Sequence, residues 1–177
     1  EAAAVSAGLS SVKINFQNST SAGFPGYLPD NGVPFADRGN GYSYGWNKDN
    51  SGNARNRDQT DKALAPDERY DTFNHMQKPG GPWVWEIAVP NGTYSVRIVG
   101  GEPNNFDQTI RIKAEDVLVV NGAPCTTTER FREGTALVNV EDGRLSVTAS
   151  DADGAVNCKI AFIEIKSVLR VNFQNST

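Results

Sequence analysis

Residues 83–99 read WVWEIAVPNGTYSVRIV, two alternating apolar segments on either side of Pro90-Asn91-Gly92. Trp85, Ile87 and Val89 share one face of the first segment, and the same period of two continues through residues 93–99. Asn-Gly between two alternating segments is the strongest short-range signal for a β-hairpin. The stretch therefore predicts two antiparallel strands joined by a tight turn.

Short alternating or apolar segments of the same kind recur along the chain. They predict six further strands, over residues 11–17, 108–114, 117–120, 135–140, 144–149 and 159–165. The composition agrees, because 24 Val and Ile face only 8 Leu and Met, and 55 of the 177 residues are Gly, Asn, Asp or Pro. About eight short strands at this spacing predict an all-β protein, and a β-sandwich within that class.

Charge and hydropathy exclude two classes of partner. The formal net charge is −4, with only 17 Lys and Arg, which argues against nucleic acid because clustered cations dominate that affinity. No apolar run approaches the roughly 18 residues that a membrane span needs. The first residues, Glu1-Ala2-Ala3-Ala4, lack the basic and apolar regions of a signal peptide, as expected of a mature fragment of a secreted, extracellular protein.

A heptapeptide occurs twice, 157 residues apart. Residues 14–20 read INFQNST and residues 171–177 read VNFQNST, with Lys13 and Arg170 extending the match. A tandem array explains this repeat, and convergent edge strands are the alternative. We therefore divide the chain into a linker (1–10), a β-sandwich module (11–167) and the start of the next repeat or a duplicated edge strand (168–177). The expected partners include neighbouring modules and strand-swapped contacts through 168–177.

The segment from residue 19 to residue 82 has no sustained periodicity and combines Gly and Asn with aromatic residues. A loop of this length must be ordered by its own side chains or by a ligand, and binding residues concentrate on such loops. Aromatic faces stack on sugar rings while polar groups bind the hydroxyls. The candidate ligand-binding residues are Tyr42, Tyr44, Trp46, Asn47, Arg55, Arg57, Tyr70, His75 and Trp83.

An alternative reading applies to the same residues. The rings would form a local hydrophobic core that holds the loop in place. The arginines, including Arg38 and Arg69, would form salt bridges with the acids of the loop. For the arginines we favour the salt bridges. For Tyr42, Tyr44 and Trp46 the sequence leaves both readings open.

Residues 85–96 resemble the W-x-hydrophobic-x-V-P-N-G-x-Y-x-V hairpin of malectin-like and galactose-binding-like carbohydrate-binding modules. Residues 143–147 and 157–165 are similar to the last two strands of those modules. The resemblance implies a jelly-roll β-sandwich with a long ordered N-terminal loop region. It also implies a non-catalytic, lectin-like module that binds a polysaccharide or other glycan. No ligand-binding residue transfers from the family, because the matching segments are scaffold. A structural or adhesive extracellular repeat with a protein partner is the alternative.

Two further features bear on cofactors and compartment. Asp151 and Asp153, and Asp49 in a second segment, place oxygen donors at alternate positions, as a calcium loop does, although acidic turns also occur without metal. We expect no required cofactor, with structural calcium as the one candidate. Cys125 and Cys158 predict a single disulfide, with two buried thiols as the alternative.

One motif raises the question of catalysis. Gly41-Tyr42-Ser43-Tyr44-Gly45 fits G-x-S-x-G, the hydrolase nucleophile elbow, which requires a strand before the serine and a helix after it. The sequence predicts no helix there, and the one histidine, His75, would have to complete a triad with Asp71. We expect no catalytic residues, and a small polysaccharide hydrolase or lyase remains the third hypothesis.

Overall fold

The computed structural model describes residues 11–168, which form thirteen strands and one short helix. The strands are β1 (Ser11–Phe16), β2 (Leu28–Asp30), β3 (Ala36–Asp37), β4 (Ser43–Trp46), β5 (Ala54–Asn56), β6 (Thr72–His75), β7 (Val84–Ala88), β8 (Gly92–Gly101), β9 (Thr109–Ala114), β10 (Val117–Pro124), β11 (Phe131–Val140), β12 (Arg144–Ala149) and β13 (Lys159–Ser167). The helix is α1 (Glu68–Asp71), and 3₁₀ turns span Ser51–Asn53 and Asp151–Asp153. Residues 1–10, and 169–177 with the second copy of the heptapeptide, lie outside the described residues.

The strands form two sheets that pack face to face. The seven-stranded sheet has the order β11-β8-β13-β1-β2, with β6 paired to β13 and β5 paired to β6. The six-stranded sheet has the order β10-β9-β12-β7-β4-β3. All strand pairs are antiparallel except β1 with β2. The predicted β-sandwich is confirmed, and each of the eight predicted strands is present, as β1 and β7–β13.

The predicted hairpin at Asn91-Gly92 is wrong. β7 pairs with β12 and β4 in the six-stranded sheet, whereas β8 pairs with β11 and β13 in the other sheet. Asn91 Nδ2 donates to the carbonyl of Glu141 at 2.6 Å, which ties this crossover to the one between β11 and β12. The apolar faces of β7 and β8 therefore meet across the core instead of lying side by side in one sheet.

The core lies between the sheets and includes the long segment before β7. Phe16 of β1 packs edge-to-face against Trp85 of β7, with ring centroids 5.3 Å apart, and against Trp46 of β4 at 6.0 Å. All three rings are fully buried. The expected long N-terminal region is ordered by its own strands β2–β6, which extend both sheets.

Candidate functional site

The rings predicted to form a ligand platform at residues 42–46 lie mainly in the core. Tyr44 and Trp46 are 2% and 0% exposed. The Trp46 indole Nε1 donates to Asp30 Oδ1, and the Trp85 indole Nε1 donates to Asp30 Oδ2, each at 2.9 Å. The binding prediction is therefore wrong for Tyr44 and Trp46, which follow the alternative reading of a core that holds the loop. Tyr42 is half-buried and packs against that core.

Trp83 and His75 are also too buried to contact a ligand. Trp83 is 6% exposed, and its indole Nε1 donates to the carbonyl of Lys78 at 2.8 Å. His75 is 5% exposed. Burial, followed by the positive charges of Lys78 and Lys159, lowers the pKa of His75 to about 3, so its imidazole is neutral at ordinary pH. The binding prediction is wrong for both residues, because neither ring is open to solvent.

The G-x-S-x-G motif lacks the geometry of a nucleophile elbow. Ser43 begins the strand β4, and the next regular element after that strand is the 3₁₀ turn Ser51–Asn53, not an α-helix. His75 lies on β6, in the other sheet. The motif therefore does not place its serine between a strand and a helix.

The polar residues predicted to bind a ligand make structural contacts. Arg57 forms a two-pronged ion pair with Glu102, with nitrogen–oxygen distances of 2.6 and 2.9 Å. Arg55 donates to the carbonyls of Gly52 and Ala54. The predicted salt bridge to an acid of the loop forms for Arg69, which pairs with Asp67, whereas the partner of Arg57 follows β8 and lies outside the loop.

Asn47 and Tyr70 differ from the residues above. Asn47 is exposed, and its amide donates to the carbonyl of Pro82 at 3.0 Å, so it links two loops. Tyr70 is half-buried, with its ring 5.0 Å from Phe131 and 5.2 Å from Phe162. Of the nine predicted ligand-binding residues, Tyr70 is the one that packs with the half-buried aromatic residues around Arg69.

The acidic residues of the predicted calcium loops satisfy local groups. Asp49 Oδ1 accepts from the Ser51 amide at 2.9 Å, and Asp153 Oδ2 lies 3.0 Å from Lys113 Nζ. Asp151 accepts from the side chain of Gln77. Within residues 11–168, no group of three His, Cys, Asp or Glu side chains is placed to hold a metal ion. The calcium hypothesis stays a prediction.

Cys125 and Cys158 are free, buried thiols, so the predicted disulfide is not formed. Cys125 Sγ lies 3.4 Å from the carbonyl of Arg130, and Cys158 Sγ lies 3.8 Å from the carbonyl of Arg111. Burial raises the pKa of Cys158 to about 12. The alternative of two buried thiols describes this structure.

A different group of aromatic residues lies on the outer face of the seven-stranded sheet. Phe162 of β13 points away from the main core and packs with Phe73, Val99 and Ala161. We call the residues around Arg69 that cover Phe162 the Arg69 cluster: Phe24, Tyr27, Arg69, Tyr70, Phe131 and Phe162. All of them except Phe162 are half-buried and therefore partly open to solvent.

Arg69 holds this cluster together. Its guanidinium carbon lies 4.5 Å from the ring centroid of Phe24, 4.9 Å from that of Phe162 and 5.2 Å from that of Tyr27. The guanidinium also donates to Oδ2 of Asp67 at 2.8 Å, and Asp67 is the N-cap residue of α1. A cation over several aromatic faces is attracted by each ring quadrupole, and the carboxylate fixes its position.

A charged row crosses the same face beside the cluster. Cross-strand pairing aligns Lys13, Glu164, Arg97 and Thr135 on four neighbouring strands, and these four residues form the charged row. Together with Lys166 and other residues they line a depression of about 480 Å³. Paired residues in a sheet point to the same side, so these side chains face solvent together.

Tyr27 connects the cluster to the charged row. Its hydroxyl donates to Glu164 Oε1, and Lys13 Nζ lies 5.6 Å from its ring centroid. On its other side, Tyr27 and Phe24 line a second depression of about 420 Å³. Burial alone would raise the pKa of Glu164, but the hydrogen bond from Tyr27 and the charge of Arg97 outweigh it and lower that pKa. The carboxylate is therefore ionised at neutral pH.

This face is not among the sites predicted from the sequence. Alternation along β13 places Ile163 and Ile165 inward, and the same alternation puts Phe162 and Glu164 on the opposite face. An aromatic residue and a charge on the outer face of a strand were therefore visible in the sequence. The contribution of Tyr27 and Arg69 was not, because it depends on how residues 19–82 fold over the sheet.

Comparison with known proteins supports the fold. The sequence matches no family profile and no curated protein. Among solved structures, the chain is similar to the protein YxiM of Bacillus subtilis, with a TM-score of 0.59 and 19% identity over 89% of this chain and 40% of that one. A calcium binding mutant of Bacteroides uniformis beta-glucuronidase 2 aligns with a TM-score of 0.61 and 14% identity, over 90% of this chain and 18% of the enzyme.

A third similar structure is a chain from the complex of the plant peptide RALF23 with FER and LLG2. It aligns with a TM-score of 0.56 and 15% identity, over 91% of this chain and 40% of that chain. The protein thus spans between about a fifth and two fifths of the length of these three chains. At these identities the likeness defines the class of fold, a β-sandwich that occurs as a part of larger proteins.

Proposed function

We propose that the chain is a non-catalytic carbohydrate-binding module of a larger extracellular protein, and that its glycan binds on the outer face of the seven-stranded sheet. The observation that carries this proposal is the position of Tyr27, a half-buried ring that lines the second depression and donates its hydroxyl to Glu164, which lines the first. Sugar rings stack on such aromatic faces, and neighbouring charged groups bind the hydroxyls.

This face suits a ligand better than residues 42–46 do. To expose Trp46, the protein would have to break the indole hydrogen bond to Asp30 and open the main core. The outer face needs no such rearrangement, because its depressions already exist. Ligand sites in proteins are usually largely preformed.

The charges of the first depression favour an acidic sugar. Lys13, Arg97 and Lys166 line it together with a single carboxylate, Glu164. Arg97 already pairs with Glu133 and Glu164, so Lys13 and Lys166 are the cations that we expect a ligand carboxylate to contact. A sugar that carries a carboxylate would gain charge-assisted contacts here.

Retention on insoluble polysaccharides and a glycan array, with and without calcium, test this proposal. Tyr27→Ala should weaken binding at least about tenfold, because stacking on an aromatic ring and the charge contacts around it contribute at least about 1.4 kcal/mol. Phe106→Ala is the matched control, since Phe106 is a 47% exposed ring in the loop between β8 and β9. Its binding should equal that of the parent.

Two results would count against the proposal. If no glycan retains the parent protein under either condition, the carbohydrate function is wrong. If a glycan is retained but Tyr27→Ala binds as tightly as Phe106→Ala, the function stands and the outer face is not the site. Circular dichroism of both variants confirms that the sandwich is folded.

A structural or adhesive repeat with a protein partner is the second candidate function. Leu137 of β11 is 64% exposed on the same outer face, where it pairs with Ser95. An exposed apolar side chain on the face that also carries the half-buried rings suits a protein surface. Leu137→Ala separates the two functions without adding charge to this face, because it should weaken capture of a protein partner and leave retention on a glycan through Tyr27 unchanged.

A further inference from the structure

The first strand occupies a position that is closed on both sides. β1 pairs antiparallel with β13, where Ser11 lies opposite Lys166 and Lys13 opposite Glu164. On its other edge β1 pairs parallel with β2, where Phe16 lies opposite Asp30. The strand is therefore an interior part of the seven-stranded sheet, and its position is a slot between β13 and β2.

The residues that fill this slot make contacts specific to their side chains. The Phe16 ring packs edge-to-face on Trp85 in the core. Asn15 is fully buried, and its Nδ2 donates to Gln17 Oε1 and to Thr72 Oγ1, each at 3.0 Å. The Gln17 side chain is 3% exposed, and its Nε2 donates to the carbonyl of Ser21 at 3.0 Å. An unrelated strand would lose these contacts.

The C-terminal segment carries the same side chains in the same order. At an offset of 157 residues, Asn172, Phe173 and Gln174 stand where Asn15, Phe16 and Gln17 stand. Val171 replaces Ile14, and Leu169 replaces Val12. Both changes keep an apolar residue at an inward position of the strand.

This segment cannot fill the slot of its own sandwich in the same register. Val168 aligns with Ser11, which lies opposite Lys166. Residues 166 and 168 are two positions apart, whereas the tightest antiparallel hairpin needs two residues between the paired positions. In addition, β1 already fills the slot.

We propose that residues 168–177 are a first strand that fills the β1 slot of a second copy of this sandwich, the module that follows in the same polypeptide. The repeat distance supports this, because a unit of 157 residues from Ser11 ends at Ser167, the last residue of β13, and holds all thirteen strands. The proposal does not depend on the carbohydrate function.

A graft in the full chain tests whether the segment is competent as β1. Ser11→Val, Val12→Leu, Lys13→Arg and Ile14→Val together give β1 the sequence of residues 168–177. The graft should melt cooperatively, with a melting temperature within about 6 °C of the parent, because the core loses one methylene at Ile14 and gains one at Val12. Phe16→Ala is the matched destabilised control and should melt well below the graft.

Peptide binding tests the slot itself. In the full chain, Phe16→Ala combined with Phe173→Ala weakens both copies of the strand. A labelled peptide of residues 168–177 should bind this double variant at least about tenfold more tightly than the same peptide with Phe173→Ala, as should a peptide of residues 11–20. Addition of the native peptide of residues 168–177 should also raise the melting temperature of the double variant toward that of the parent protein.

We expect the grafted variant to unfold cooperatively and both native peptides to bind the double variant. If the graft loses its cooperative transition, or if peptide 11–20 binds and peptide 168–177 does not, the proposal is wrong. If neither peptide binds, the melting of the grafted variant alone decides whether residues 168–177 can serve as a first strand, and loss of its cooperative transition shows that they cannot.

Discussion

Replacing Asp30 by alanine should show what holds the long segment before β7 against the sandwich. The Asp30 carboxylate is 1% exposed and accepts hydrogen bonds from the indoles of Trp46 and Trp85 at 2.9 Å and from the Gly32 amide at 2.8 Å. Trp46 belongs to the segment and Trp85 to β7, so one carboxylate joins the two. Alanine would leave all three N–H groups without this acceptor.

The magnitude follows from the two indoles. A buried donor that loses its acceptor costs about 1–3 kcal/mol, so two fully buried indole N–H groups give about 2–6 kcal/mol for Asp30→Ala. This is a large share of the about 5–15 kcal/mol that a domain has in total. Asp30→Asn keeps one oxygen as an acceptor and turns an amide N–H₂ toward the other indole. The Asp30→Asn variant should therefore lose about half as much free energy of unfolding as Asp30→Ala, about 1–3 kcal/mol.

Urea unfolding followed by tryptophan fluorescence measures the effect, because Trp46 and Trp85 are themselves reporters of the buried site. Asp116→Ala is the control, since Asp116 is exposed in the turn between β9 and β10. The free energy of unfolding of this control should stay within about 0.5 kcal/mol of the parent value. If Asp30→Ala loses less than about 1 kcal/mol, or if it and Asp30→Asn are equal, the carboxylate is not the link that the geometry describes.

Two further predictions concern titratable groups elsewhere in the sandwich. Burial alone would raise the pKa of Glu102, but the hydrogen bonds and charge of Arg57, with the charge of Lys159, outweigh it and lower that pKa. The resulting stability is present above the unfolded-state pKa of about 4.3 and is lost as the pH falls through the lower folded-state pKa. The free energy of unfolding should thus decline more steeply below about pH 4.3 in the parent than in Glu102→Gln, and equal slopes in urea titrations would contradict this. A thiol reagent should label neither Cys125 nor Cys158 in the native protein and both after denaturation, and absence of labelling after denaturation would show a disulfide instead.

Strand positions were predictable from the sequence, whereas strand partners were not. Alternation locates β12 at residues 144–149 and β13 from residue 159, because a half-buried strand must alternate. The Asn-Gly signal at residues 91–92 failed because a short polar turn also serves a crossover between facing sheets. Two strands with one apolar face each can lie side by side or pack across a core, and the local sequence is compatible with both.

The candidate site shows the same limit for side chains. Tyr44 and Trp46 have the composition of a sugar platform, yet the indole of Trp46 satisfies a buried carboxylate. A count of aromatic residues in a loop does not distinguish these roles, since both need large rings beside polar groups. The distinguishing quantity is the direction of each ring relative to the two sheets, which depends on pairings that are distant in sequence, such as Tyr44 with Ile87.

The segment between β1 and β7 has two separable roles. Through Trp46 it anchors in the core, and through Tyr27 and Arg69 it covers the outer face of the seven-stranded sheet. The anchor fixes where the segment runs, and only then can Tyr27 reach Glu164 on β13. A change at the anchor should therefore lower stability as well as the proposed ligand binding, whereas a change at Tyr27 should act on the outer face, where it removes the contacts with Phe162 and Glu164. The polar and aromatic composition of this segment thus reflects a scaffold requirement first, and the proposed glycan site lies on the surface that the scaffold leaves open.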